Sequence, residues 1–205
     1  MNIYKGAKKL LEGFAKLVFN IYVHGSENEP AEGGYIAVAN HISFVDVFVT
    51  AVALKRQIRF MAKKELFKIP LLGGLLKVLG AFPVDRKKNA TAALRTSISL
   101  LNSGEVVGIF PLGTRVSGKK FDTLGHMVKG GAAMVCYRSK VPVLPMFIST
   151  KDDKTRLFRR IDVYVGKPIA YEEFSFTDGR NDEYMKGARL MFDRLCELMP
   201  PERRS

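Results

Sequence analysis

Apolar residues recur at two different periods along this chain. In short runs rich in β-branched and aromatic side chains, bounded by Gly, Pro, Asn or Lys, they predict strands at Ile21–His24, Tyr35–Ala39, Ile58–Met61, Val106–Phe110, Val143–Ile148 and Ile161–Val165. Between these runs, spacings of three and four residues predict helices at about 43–54, 66–79, 90–102, 127–138 and 181–198. Asn89 and Thr91 suit the opening of the helix at 90–102, and Ser103-Gly104 its end. Loops 25–34 and 149–160 are polar. The alternation predicts an α/β fold, a single domain with a mainly parallel or mixed sheet flanked by helices. In such sheets ligands bind beyond the carboxyl ends of the strands.

The first residues behave differently. Ile3, Ala7, Leu10, Leu11, Phe14, Leu17, Val18 and Ile21 make one apolar helical face over 1–22, while Lys5, Lys8, Lys9, Glu12 and Lys16 interrupt the run. A bilayer span needs about 20 mostly apolar residues, and no small-residue cleavage site of a signal peptide follows. The expectation is an amphipathic segment at 1–22 lying on a membrane surface, with its lysines among anionic headgroups, ahead of a domain at 23–205. An ordinary helix packed on the domain has the same periodicity. Segment 66–82, LFKIPLLGGLLKVLGAF, offers a second apolar surface, which suits core, membrane contact or the wall of an acyl-chain channel.

Charge narrows the partners. With 33 Lys and Arg against 20 Asp and Glu, the chain carries a formal net charge of +13, which attracts phosphate-bearing partners. No zinc-finger spacing, RNP-like aromatic run or basic region with heptads accompanies that charge, so nucleic acid is not the expected partner. Cys136 and Cys196 lie in apolar helical patterns without a CxxC pairing, and are read as core residues.

The strand at Tyr35–Ala39 runs into Asn40-His41-Ile42-Ser43-Phe44-Val45-Asp46, where helix resumes, with Ser43 suited to the N-cap. A strand-to-helix corner can bring the Asp46 carboxylate back onto the His41 imidazole. One ring nitrogen is then fixed as donor, and the other is free to take a proton from an alcohol. Taken alone, the pair reads more readily as a capping aspartate and a hydrogen-bonded histidine.

Further blocks decide between these readings. Asn40-His41-Ile42-Ser43-Phe44-Val45-Asp46 resembles the NHxxxxD signature of glycerolipid acyltransferases. Gly80-Ala81-Phe82-Pro83-Val84-Asp85-Arg86, Phe110-Pro111-Leu112-Gly113-Thr114-Arg115 and Val141-Pro142-Val143-Leu144-Pro145 resemble that family's second, third and fourth blocks, in its order. Size and a basic, amphipathic N-terminus are most similar to the bacterial 1-acyl-glycerol-3-phosphate acyltransferases of the PlsC type.

The resemblance implies an α/β fold and acyl transfer from acyl-CoA or acyl-carrier protein to lysophosphatidic acid. His41 would act as general base and Asp46 would orient it, with no acylated residue, metal or cofactor. It implies that Arg86 and Arg115 grip the acceptor phosphate, helped by backbone approach at Gly113 and Thr114; planar guanidinium groups suit that task. Lys63 is a further candidate for substrate binding. The expected location is the cytoplasmic face of the cell membrane. A glycerol-3-phosphate acyltransferase, a phospholipid transacylase and a non-catalytic lipid-binding relative are the alternatives.

Leu112 departs from the family pattern, which carries glutamate there. A carboxylate that seats the acceptor or organises Arg115 is therefore missing, and Leu112→Glu is expected to bear on turnover. Gly113 to Lys119 also satisfies GxxxxGK, but Lys120 stands where a nucleotide-binding loop needs Ser or Thr for magnesium, which excludes that reading. His24 and His126 are read as having no chemical role.

Overall fold

The computed structural model describes residues 18–84, 90–116, 120–152, 154–156 and 158–203. The expected N-terminal helix lies outside them up to residue 17. Asn20–His24 form the first strand, so residues 21 and 22, which suited both helix and strand, are strand, and Asn20, expected in the helix, joins them.

Seven strands form one sheet: β1 (Asn20–His24), β2 (Tyr35–Ala39), β3 (Ile58–Lys63), β4 (Phe82–Val84), β5 (Val106–Ile109), β6 (Val143–Thr150) and β7 (Arg160–Val165). Their spatial order is β1-β7-β6-β2-β5-β3-β4. Every pairing is parallel except β6 with β7, so the sheet is mixed. β4 is the strand that hydrophobic periodicity does not reveal. It has three residues with Pro83 at its centre, which an edge strand tolerates because no ladder bond is needed on its outer side.

The helices are α1 (Asp46–Ala53), α2 (Leu72–Val78), α3 (Ala90–Asn102), α4 (Gly131–Ser139) and α5 (Asn181–Glu197). Two expectations need correction. Helix 43–54 starts three residues later, at Asp46, and Ser43 does not cap it. The Ser43 hydroxyl accepts from Val45 N–H at 3.3 Å, while the Ser43 carbonyl accepts from Asp46 N–H. Segment 66–79 is not one helix. A 3-10 turn spans Lys64–Lys68, and α2 begins only after Pro70 and a left-handed backbone at Leu71.

All five residues of β2 are buried, as a central parallel strand with both faces covered requires. Period-two alternation sends Ile36 and Val38 into a cluster with α4 and α5, and Tyr35, Ala37 and Ala39 into a second cluster with α1. β2, β3 and β5 are mutually parallel neighbours, so they deliver their C-terminal residues to one edge.

Candidate active site

At that edge the chain leaves β2 through Asn40, whose buried side chain extends the sheet. Its amide donates to the Ile148 carbonyl at 2.9 Å and its carbonyl accepts from Ile148 N–H at 2.7 Å. Both bonds go to the backbone of β6, so the strand end is clamped one residue before His41. This residue lies within the NHxxxxD block, yet sequence reasoning assigned it no task. A buried asparagine at a strand end was the available signal.

His41 Nδ1 lies 2.8 Å from Asp46 Oδ2. The same oxygen accepts Ile42 N–H at 2.6 Å and Ser43 N–H at 2.8 Å, and Asp46 is fully buried. A carboxylate that accepts from two backbone donors is suited to accept from Nδ1–H as well, which leaves Nε2 as the imidazole's acceptor. Asp46 Oδ1 is buried with no hydrogen-bond partner among the described residues. The five-residue corner expected from the sequence is thus closed by three converging donors on one oxygen.

The His41 ring stacks on Phe110, with centroids 4.0 Å apart and planes 12° apart, and Phe110 stacks in turn on Phe60 at 5.8 Å. The imidazole keeps 17% of its surface exposed, so the edge away from Asp46 reaches the outside. An apolar wall on one side and a buried carboxylate on the other hold the ring in a single orientation.

The loop after β5 joins this corner directly. Val116 N–H donates to the His41 carbonyl at 2.8 Å, and Gly113 N–H closes a turn onto the Phe110 carbonyl at 2.9 Å. Gly113 has a φ of 66°, which favours glycine. The Arg115 guanidinium lies 3.7 Å from the centroid of the Phe44 ring, itself 64% exposed and set between His41 and Asp46. Gly113, Thr114 and Arg115 are all exposed. They stand beside His41, as expected for a binding loop.

Lys63 ends β3 at the same edge and is exposed, with Nζ 3.9 Å from Glu65 Oε2. Arg86 lies outside the described residues. Lys129, which sequence reasoning passed over, joins the group: its backbone N–H donates to the Pro111 carbonyl at 3.1 Å, and its Nζ lies 3.3 Å from where a Cβ on Gly113 would stand. Far from His41 in sequence, it gave no local signal beyond its place before Gly130-Gly131.

Leu112 lies on the core side of this loop. Its side chain is 2% exposed and packs in the core with Val116, Phe121 and Leu124, in the cluster that contains α4 and α5. Phe110, two residues earlier, packs against the opposite cluster. Position 112 is a packing position in this chain and offers no carboxylate to the site.

A second histidine–carboxylate pair sets the first in relief. His24 Nε2 lies 2.8 Å from Asp162 Oδ1, but the same carboxylate takes both the Nε and Nη2 hydrogens of Arg160 at 2.7 Å. Arg160 holds the Asp162 carboxyl below its ordinary range, partly opposed by burial. This pair sits on β1 and β7, which β6 separates from β2 in the sheet. His126 is exposed on the 3-10 turn Phe121–Met127, with Nδ1 3.2 Å from the Thr123 carbonyl. Burial pushes the Cys136 thiol up to about 12.

Among the described residues, no group of three or more His, Cys, Asp or Glu could hold a metal ion, and no helix is long and apolar enough to cross a membrane.

Comparison with known proteins follows the same outline. The family described as Acyltransferase matches residues 20–149, which contain His41, Asp46 and the loop 110–115. The chain is 34% identical over 176 residues to the 1-acyl-sn-glycerol-3-phosphate acyltransferase of Bacillus subtilis, covering 84% of this chain and 85% of that one. It is also 34% identical over 169 residues to the enzyme of the same name from Streptococcus pneumoniae, covering 80% of this chain and 60% of that one. Among solved structures, the 1-acyl-sn-glycerophosphate acyltransferase PlsC from Thermotoga maritima superimposes with a TM-score of 0.69 at 27% identity, covering 97% of this chain and 82% of that one.

Proposed function

The chain belongs to the acyltransferase family and is an acyltransferase of the PlsC type, and from that premise we propose that it acylates the free hydroxyl of 1-acyl-glycerol 3-phosphate, giving phosphatidic acid. The observation that carries this reading is the single Asp46 oxygen shared by His41 Nδ1 and two backbone N–H groups. That arrangement fits a general base whose tautomer must not vary.

In the proposed reaction, Nε2 of His41 takes the proton of the acceptor hydroxyl as its oxygen attacks the thioester carbonyl. The tetrahedral adduct collapses by breaking the C–S bond, and the imidazolium returns its proton to the departing thiolate. The protein's protons therefore balance over one cycle, and no acyl group is carried by the chain. Asp46, buried against the ring, stabilises the imidazolium while it lasts.

The acceptor phosphate is assigned to the cations beside this edge, Arg115, Lys129 and Lys63, and, on the family resemblance alone, to Arg86. Exposed backbone at Gly113 and Thr114 gives the phosphate a close approach. Arg115 presents a planar fork whose orientation is steadied by Phe44. Holding the phosphate there places the glycerol hydroxyl near Nε2, which converts encounter into alignment. The substrates and the charge of +13 support a site of action at an anionic membrane surface, on its cytoplasmic face.

The test is to incubate the purified full chain with lysophosphatidic acid in vesicles, supplying acyl-CoA or acyl-carrier protein in separate reactions, and to follow thiol release and phosphatidic acid. Stoichiometric appearance of both with either donor supports the proposal and identifies the thioester. Transfer to glycerol 3-phosphate alone, or transfer that needs a phospholipid donor, overturns it.

A further inference from the structure

Between β3 and α2 the chain makes a turn that the fold does not require. β3 ends at Lys63 on the edge that carries His41, the 3-10 turn Lys64–Lys68 follows, and Ile69-Pro70-Leu71 then project outward. Leu71 is 93% exposed, and Ile69 is also exposed. Leu71 has φ 64° and ψ −49°, and Leu72 N–H donates to the Pro70 carbonyl at 2.7 Å across it. This is a γ-turn of the rare, strained kind. Glycine adopts such a backbone without penalty, and a polar side chain would suit the water around it. Leucine meets neither demand, so its place here calls for an apolar surrounding that the described residues do not provide.

The surroundings of the tip identify that environment. Lys63, Lys64, Lys68 and Lys77 are exposed in the stretch that carries it, against one glutamate, Glu65. An apolar point flanked along the chain by exposed lysines matches an anionic bilayer surface, where leucine enters the acyl region and ammonium groups stay among phosphates. A protein partner fits less well: a stable interface buries at least about 1,000 Å², far beyond a tip of two apolar side chains. A second copy of this chain would bring its own charge of +13.

We propose that the Ile69–Leu71 tip is a membrane-insertion wedge, pressed into anionic lipid by the lysines that flank it along the chain, and that it sets the His41 edge of the sheet against the bilayer. The wedge is a contact separate from the N-terminal segment, and it rests on the reading of the protein as a lipid acyltransferase. Its consequence for that reaction is geometric. The wedge, the Gly113–Arg115 loop and His41 stand at one sheet edge, so an acceptor lipid can reach the imidazole with its acyl chain still in the membrane.

The chain contains no tryptophan, so Leu71→Trp in the full-length protein places a sole indole reporter at the tip. With vesicles of phosphatidylglycerol and phosphatidylcholine carrying brominated acyl chains, the wedge predicts blue-shifted and quenched emission. Emission that stays water-like and unquenched while the protein floats with the vesicles overturns it, as does failure to bind these vesicles at all. Leu71→Gly separates this role from a structural one. It relaxes the turn and raises Tm, yet weakens affinity for the same vesicles about tenfold, the worth of one buried leucine side chain. Unchanged affinity, or loss of Tm and affinity together, contradicts the wedge. Phosphatidic acid formation by the unaltered protein in detergent micelles, measured alongside, reports on the acyltransferase reading alone.

Discussion

Two side chains near the β2 corner, Leu112 and Lys129, carry different burdens, and substitution separates them. Leu112 packs in the core at 2% exposure, so Leu112→Glu buries a carboxylate without a partner. We expect a loss of about 3 kcal/mol in chemical denaturation and no gain in turnover. Higher activity from that variant would return position 112 to the site. Lys129 lies against Gly113 through Cδ, Cε and Nζ. In Lys129→Gln, KM for the phosphate-bearing acceptor should rise about tenfold with little change in kcat, since the lost contact is made equally to ground and transition states. Steady-state kinetics with the acceptor varied decides it.

Elements hold these side chains in place, and two of their fastenings can be tested. Asn40 joins the end of β2 to β6 through two hydrogen bonds with Ile148. Asn40→Ala leaves a buried N–H and carbonyl unpaired, which costs about 2 kcal/mol or more and loosens the corner that aims His41. The check is a urea titration alongside turnover. At the start of α5, the Thr177 hydroxyl, followed by the backbone N–H groups of Thr177, Asp178 and Gly179, holds the Glu183 carboxyl down to about 2 from an ordinary 4.5. A folded-state value below the unfolded one means stabilisation present above pH 4.5 and lost as pH falls towards about 2. Acid unfolding of Glu183→Gln should therefore depend less steeply on pH across that window.

The same elements show where the sequence was readable. Strand periodicity marked six of the seven strands, because each is long enough for β-branched runs to stand out. β4, with three residues and a proline, was not. The helix expected at 66–79 failed because its apolar spacing is helical while Pro70 and the turn at Leu71 break the backbone. Ser43 was expected to cap α1, but Asp46 itself gathers the corner's donors.

For the molecule as a whole, parallel pairing of β2, β3 and β5 matters most. It brings His41, Gly113–Arg115 and Lys63 to one edge from distant stretches of chain. The His41–Asp46 pair was legible as a short local pattern at a strand end. Lys129 was not, since only the packing of the segment before α4 against the loop at Pro111 reveals it. The burial of Leu112 was not legible for a related reason. Motif position says which residue is unusual, while the face it occupies depends on the sheet.

The central claim is that this edge transfers acyl groups by means of His41 held by Asp46. The most direct measurement is the rate of phosphatidic acid formation from lysophosphatidic acid and the acyl thioester by the unaltered chain, His41→Ala and Asp46→Asn, each with its circular dichroism recorded. We predict that both variants keep the fold and lose about 10²–10⁴-fold in kcat, the range for a positioned general base. Transfer by a folded His41→Ala at the rate of the unaltered chain would contradict the account.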